Sequence, residues 1–130
     1  MRCEVRMMKG IVEHLQMEGV SSDLLREVAD FSTEHHVDEK IVKRIPAPRF
    51  FYYGKKVWEE AIAALLCGKN ILLTGEKATG KNVLAENLAA VFRRPAWDIS
   101  FHINMDAAAL IGTDTFRDGR VEFRPGPVYC

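Results

Sequence analysis

Residues 75–81 read Gly75-Glu76-Lys77-Ala78-Thr79-Gly80-Lys81, with Asn82 next. The pattern is G-x-x-x-x-G-K. It follows the apolar run Ile71-Leu72-Leu73 and precedes a helical spacing of Val83, Leu84, Leu88 and Val91. Nothing else in the chain limits the fold as tightly. Glycines at both ends let the backbone curl until successive N–H groups point inward. A helix starting at the second glycine adds unpaired N–H groups and the positive end of its dipole. A lysine just inside that helix supplies a mobile cation for phosphate oxygens. The spacing therefore predicts a phosphate-binding loop of the Walker A kind, made of Gly75, Glu76, Lys77, Ala78, Thr79, Gly80, Lys81 and Asn82. Asn82 stands where the motif has Ser or Thr, whose hydroxyl binds Mg²⁺. An amide oxygen is a hard ligand that can take this place, so Asn82 is the candidate metal ligand. The Thr79 hydroxyl, one residue before the glycine, is expected to face elsewhere.

The surrounding pattern is α/β. Val57 to Leu66 reads as a helix ended by Gly68, and Ile71–Leu73 as a buried strand. The helix after the loop ends near Pro95. Trp97, Ile99, Phe101 and Ile103 alternate with polar residues as a second strand. Strand, helix, strand in this order predicts a parallel βαβ unit with a right-handed crossover. Asp118-Gly119, between Thr115-Phe116-Arg117 and Arg120-Val121-Glu122-Phe123, predicts a two-residue hairpin turn.

The N-terminal third is different. Val5, Met8, Val12 and Leu15 recur at helical spacing up to Gly19. Ser21 or Ser22 caps a second helix with Leu24, Leu25, Val28 and Phe31 on its apolar face. A third, short helix is expected near Asp38. Residues 1–48 carry 7 basic and 9 acidic side chains, and residues 49–130 carry 11 and 9. The join at Ile45-Pro46-Ala47-Pro48-Arg49 disfavours helix. The expected organisation is a helical segment, 1–47, before an α/β region, 48–130.

Composition excludes several classes. Lys plus Arg and Asp plus Glu are 18 each, which gives no support to a nucleic-acid binder. No apolar run approaches the ~20 residues of a membrane span, and no signal-peptide core opens the chain. Cys3, Cys67 and Cys130 have no metal-ligand spacing and read as reduced thiols in a cytoplasmic protein, with Cys67 expected in the core. His35-His36 reads as a solvated helix end, because adjacent residues do not share a helix face.

From about Tyr53 to Val128 the sequence resembles the opening half of an AAA+ ATPase of the MoxR-like, dynein-related type. The resemblance is carried by Gly54-Lys55-Lys56-Val57 with the helix after it, and by Gly68 to Gly75 leading into the loop. It continues in Leu110-Ile111-Gly112, which is similar to a short Leu-x-Gly element. Phe116 through Val128, with Phe123-Arg124-Pro125-Gly126-Pro127-Val128, is similar to the helix-2 insert and its Pro-Gly-Pro turn. The first 48 residues lie outside the resemblance. It implies an incomplete P-loop AAA+ core that binds ATP with Mg²⁺, and a homo-oligomeric ring that couples ATP hydrolysis to remodelling of protein clients. It also implies that the hairpin at Asp118-Gly119 faces the pore or client, with Arg117, Arg120 and Arg124 exposed. Phe51 to Gly54 would border the adenine, although aromatics at Phe51, Tyr52 and Tyr53 also suit simple packing.

Hydrolysis needs one carboxylate for Mg²⁺ and another for the attacking water. In the family these follow the Pro-Gly-Pro turn, on the Walker B strand. No apolar run here ends in Asp-Glu, and no sensor residue or arginine finger can be placed. Asp98, Asp106 and Asp114 read as a strand surface, a helix cap and a turn. The expectation is an N-terminal fragment that is not hydrolysis-competent alone. The alternative is a non-catalytic nucleotide-binding or interaction module in which Asn82 reflects lost Mg²⁺ chemistry.

Overall fold

Four helices build the hydrophobic core, and their ends follow from local chemistry. The computed structural model describes residues 2–128, with side chains from residue 10 onward. The side chains of Cys3, Val5 and Met8, and all of Cys130, lie outside the described residues. In chain order come α1 (Arg2–Met17), α2 (Ser22–Glu34), a 3₁₀ turn (Val42–Arg44), α3 (Lys55–Leu66), α4 (Lys81–Val91), α5 (Ala107–Ile111), β1 (Gly112–Arg117) and β2 (Arg120–Pro125).

Three of the helices stop in the same way. After α3, Gly68 has φ 67°, its N–H donates to Leu65 C=O at 2.9 Å, and Lys69 N–H reaches Ala64 C=O at 2.9 Å. That is a Schellman closure, which uses up the last carbonyls of the helix. Gly19 closes α1 with the same pair of bonds, to Gln16 and Leu15. Arg93 closes α4, and it adopts the left-handed φ of 53° without being glycine. The start of α2 differs from expectation: Ser21 is its N-cap but makes no side-chain capping bond. The Glu59 carboxylate on α3 instead accepts from the Ser21 backbone N–H at 3.0 Å.

The chain divides into two compact units, residues 1–96 and 97–130. In the first, Ile11 and Leu15 of α1, Val28 of α2, Trp58 and Ile62 of α3, and Leu84 and Leu88 of α4 are buried together. Helices from both sides of position 48 thus share one core. In the second, α5 is capped by Asp106, whose carboxylate accepts from Ala109 N–H at 2.7 Å. The strands β1 and β2 pair antiparallel, with Arg117 opposite Arg120. Asp118 (φ 49°) and Gly119 (φ 78°) form the expected two-residue turn, both with the positive φ that matches strand twist. The register sets Phe116 opposite Val121 and Asp114 opposite Phe123 on one face. Arg117, Arg120 and Arg124 lie on the other face, exposed.

Four expectations need correction. The parallel strand pair does not form: among the described residues the only sheet is β1–β2. Ile71–Leu73 and Trp97–Ile103 belong to different compact units, and neither is laddered. A β-strand exists through pairing, so without a partner Ile71–Leu73 is not a strand; Ile71 and Leu73 are half-buried against the helical core, while Leu72 is 87% exposed. The helix expected near Asp38 is a turn followed by three 3₁₀ residues, stopped before Pro46. Cys67 is exposed, as the C-cap of α3. Asp114 sits within β1 rather than in a turn.

No described helix is long and apolar enough to cross a membrane.

Candidate functional site

The loop before α4 starts at Gly75, with φ 153°, passes through Ala78, with φ 62°, and ends at Gly80, with φ 81°. Gly80 is the N-cap of α4, and its carbonyl accepts the first helical bond, from Leu84 N–H at 2.9 Å. Lys81 is therefore the first helical residue and Asn82 the second. The N–H groups of this first turn have no partner inside the helix, which makes the turn a focus of positive potential.

The Lys81 side chain folds back over the loop. Its ammonium donates to Gly75 C=O at 3.0 Å, to Glu76 C=O, and to Thr79 Oγ1 at 3.2 Å. An ammonium has three donors, and all three are used. Thr79 corrects its expectation: its hydroxyl faces into the loop, accepting from Lys81 and donating to Glu76 C=O at 2.9 Å. Glycine suits this point because φ 153° strains any other residue, and an added Cβ would also crowd Thr79 Oγ1 at 3.3 Å. The loop is thus a closed ring of backbone with a cation tied across it. Glu76, Lys77, Ala78, Thr79 and Asn82 are exposed, and Gly80 and Lys81 are half-buried.

The arrangement suits a polyphosphate. Its oxygens can take the three Lys81 donors in place of neutral carbonyls, a charge-assisted exchange. The metal side is thinner. Asn82 offers one neutral oxygen, and the described residues hold no group of three or more His, Cys, Asp or Glu side chains placed for an ion. An ion here would take most of its ligands from phosphate and water, as Mg²⁺ commonly does.

The aromatic segment before α3 divides by role. Phe51 stacks on His14, with ring centroids 5.0 Å apart, while Tyr53 is 73% exposed and meets His14 edge-on. Tyr52 lies between Gly54 and Gly80. Its position against the loop gave no sequence signal. An apolar groove of about 450 Å³ opens elsewhere, between Leu65, Ile71, Leu73, Leu88 and Phe92, and includes none of residues 75–82. In the hairpin unit the two short motifs meet: Gly126 N–H donates to Ile111 C=O at 2.9 Å and Val128 N–H to Leu110 C=O at 3.0 Å.

Residues 70–130 match the family model described as an AAA domain of the dynein-related subfamily. The match covers somewhat less than half of the chain and includes the loop, α4 and the hairpin; over that stretch the chain is similar to an AAA domain, whose fold is that of P-loop nucleotide-binding proteins. The chain is 40% identical to an uncharacterized protein of Bacillus subtilis (strain 168), YojN, over 73 residues, which cover 53% of this chain and 24% of that protein. It is 34% identical to an uncharacterized protein of Staphylococcus saprophyticus over 77 residues, 55% of this chain and 29% of the relative. A Staphylococcus haemolyticus protein is 33% identical over 79 residues, 57% and 30%. The matched region thus spans between 24% and 30% of the length of these relatives. No solved structure matches the chain.

Proposed function

We propose that residues Gly75 to Asn82 hold the triphosphate of ATP, and that the chain acts as part of an AAA+ ATPase coupling ATP hydrolysis to remodelling of client proteins. The observation that carries this reading is the Lys81 ammonium tied across a positive-φ loop at the N-terminus of α4. In this reading the loop N–H groups and the first turn of α4 bind phosphate oxygens. Lys81 leaves the carbonyls of Gly75 and Glu76 for the β- and γ-phosphates. Asn82 is the side chain that would face Mg²⁺, which when bound neutralises phosphate charge. The residues of this chain bind and orient; hydrolysis belongs to the larger assembly, which we place in the cytoplasm as a homo-oligomeric ring. The MoxR-like subtype rests on the resemblance of Leu110-Ile111-Gly112 and Phe116 through Val128; hydrogen bonds join Leu110 and Ile111 to Val128 and Gly126. By that analogy the 48–130 region is the first half of the ATPase domain, and its hairpin meets the client.

A second reading, a nucleotide-binding module without catalysis, is favoured by one observation: Asn82 in place of a hydroxyl. Calorimetric titration with ATP, with and without Mg²⁺, tests both. Lys81→Ala should weaken binding by about 10- to 100-fold, the worth of a hydrogen bond to a charged group. Its fold should be unchanged, since the hydrogen bonds of the Lys81 ammonium all go to the loop. Equal affinity of the variant and the parent chain would refute the site. Binding indifferent to Mg²⁺ would favour the second reading.

A further inference from the structure

The phosphate loop is backed by a tyrosine. A Cβ added to Gly80 would lie 3.3 Å from Tyr52 Cδ2 and 3.5 Å from Cε2. The ring therefore touches the glycine that N-caps α4. Its other edge borders Gly54, where an added Cβ would come within 3.3 Å of Cε1. The ring is placed through its own backbone, which is held from three helices. Tyr52 N–H donates to Asn87 Oδ1 of α4 at 3.0 Å, and Asn87 Nδ2 donates to Phe50 C=O at 2.9 Å. Tyr52 C=O accepts from Trp58 Nε1 of α3 at 2.9 Å and pairs with His14 Nε2 of α1 at 2.8 Å. Two residues on, Gly54 N–H donates to the Glu18 carboxylate at 2.8 Å.

Asn87 is the unusual member. It is 0% exposed in the middle of α4, among apolar neighbours. Asn is a poor helix former, and a buried amide is tolerated only when its donors and acceptor are matched. Here both ends of the amide are matched, on the two sides of Phe51, so the side chain fastens an irregular segment to the helix that carries Lys81.

We infer that Asn87 and Tyr52 are positioning residues of the phosphate loop. Asn87 locks residues 50–52 onto α4, and the ring of Tyr52, so held, presses on Gly80 and selects its left-handed conformation. This rests on the phosphate-loop reading above. Glycine permits φ 81° but does not enforce it. An unbacked loop would sample other conformations, and a ligand would have to order them on binding. The ring removes that freedom beforehand, which raises affinity without touching the ligand.

The test uses the whole chain with Tyr52→Leu, Tyr52→Phe and Asn87→Leu. Two measurements are made: the three-bond HN–Hα couplings of Gly80, which report its φ independently of any ring current, and the ATP dissociation constant. Among the described residues no hydrogen bond holds the Tyr52 hydroxyl in place, so Tyr52→Phe should bind ATP within about twofold of the parent and keep its Gly80 couplings. Tyr52→Leu should change those couplings toward an averaged φ and weaken ATP by about tenfold, with the fold intact by far-UV circular dichroism. Asn87→Leu should do the same; if it does not fold, Tyr52→Leu carries the test alone. A folded Tyr52→Leu with unchanged affinity overturns the inference and leaves the ATP site standing. If the parent chain binds no ATP, the nucleotide reading fails. The inference is then decided by the Gly80 couplings, and their staying unchanged in Tyr52→Leu overturns it.

Discussion

The two units of this chain reach order by different routes. Residues 2–96 contain all twelve of the buried apolar side chains among the described residues, spread over α1 to α4 and the turns that close α1 and α4. Residues 97–128 contain none. The second unit is still well defined in outline, because its order is local. It has a carboxylate cap on α5, a two-residue turn with positive φ on both residues, and the close approach of Gly112 and Gly126 to neighbouring backbone. Local chemistry of this kind sets a shape, but a two-stranded hairpin in water is marginal without a buried face. Burial supplies stability in one unit, and turn and cap chemistry supplies geometry in the other. The candidate site sits in the unit with the core, as a site needing fixed N–H directions should.

The sharpest way to break this contrast is Trp58→Ala. Trp58 is 0% exposed and also donates to Tyr52 C=O. Truncation should cost about 3–5 kcal/mol, comparable with the whole stability of a small unit. The loss of helical circular dichroism in a urea titration measures it. Gly112→Ala attacks the other unit. Its Cβ would fall 2.5 Å from Arg124 C=O, at a φ of 135°. A cost of about 1–3 kcal/mol is expected. Cross-strand contacts between Thr113 and Arg124 should disappear from NMR spectra while the helical signal stays. The smallest effect, and one of opposite sign, is Arg93→Gly. It relieves a non-glycine residue of left-handed backbone at the end of α4 and should stabilise the helical unit by about 0.5–1 kcal/mol, read as a rise in urea midpoint.

Much of this was legible along the chain, and the physical reason is range. Helix ends at Gly19 and Gly68, the cap at Asp106 and the turn at Asp118-Gly119 depend on residues within about six positions of one another, so sequence spacing reports them. The phosphate-loop pattern is local in the same way: Gly75, Thr79, Gly80 and Lys81 meet because seven residues curl. Where expectation failed, the missing information was a distant partner. Ile71–Leu73 and Trp97–Ile103 have the composition of strands, but composition does not supply a ladder. Cys67 looked apolar enough for the core, but the turn of α3 that carries it faces solvent.

The sequence alone therefore determined the four core helices, the hairpin and the glycine-lysine pattern of the loop, since each is written in contacts of short span. Tertiary structure decided what lies behind that loop. Tyr52 reaches Gly80 across 27 intervening positions. Asn87, which reads as one polar residue in an apolar helix, becomes the fastening only when residues 50–52 are laid beside it. A buried hydrogen bond between remote segments has no periodicity and no spacing rule. It exists only once packing has excluded water and left the amide no other partner.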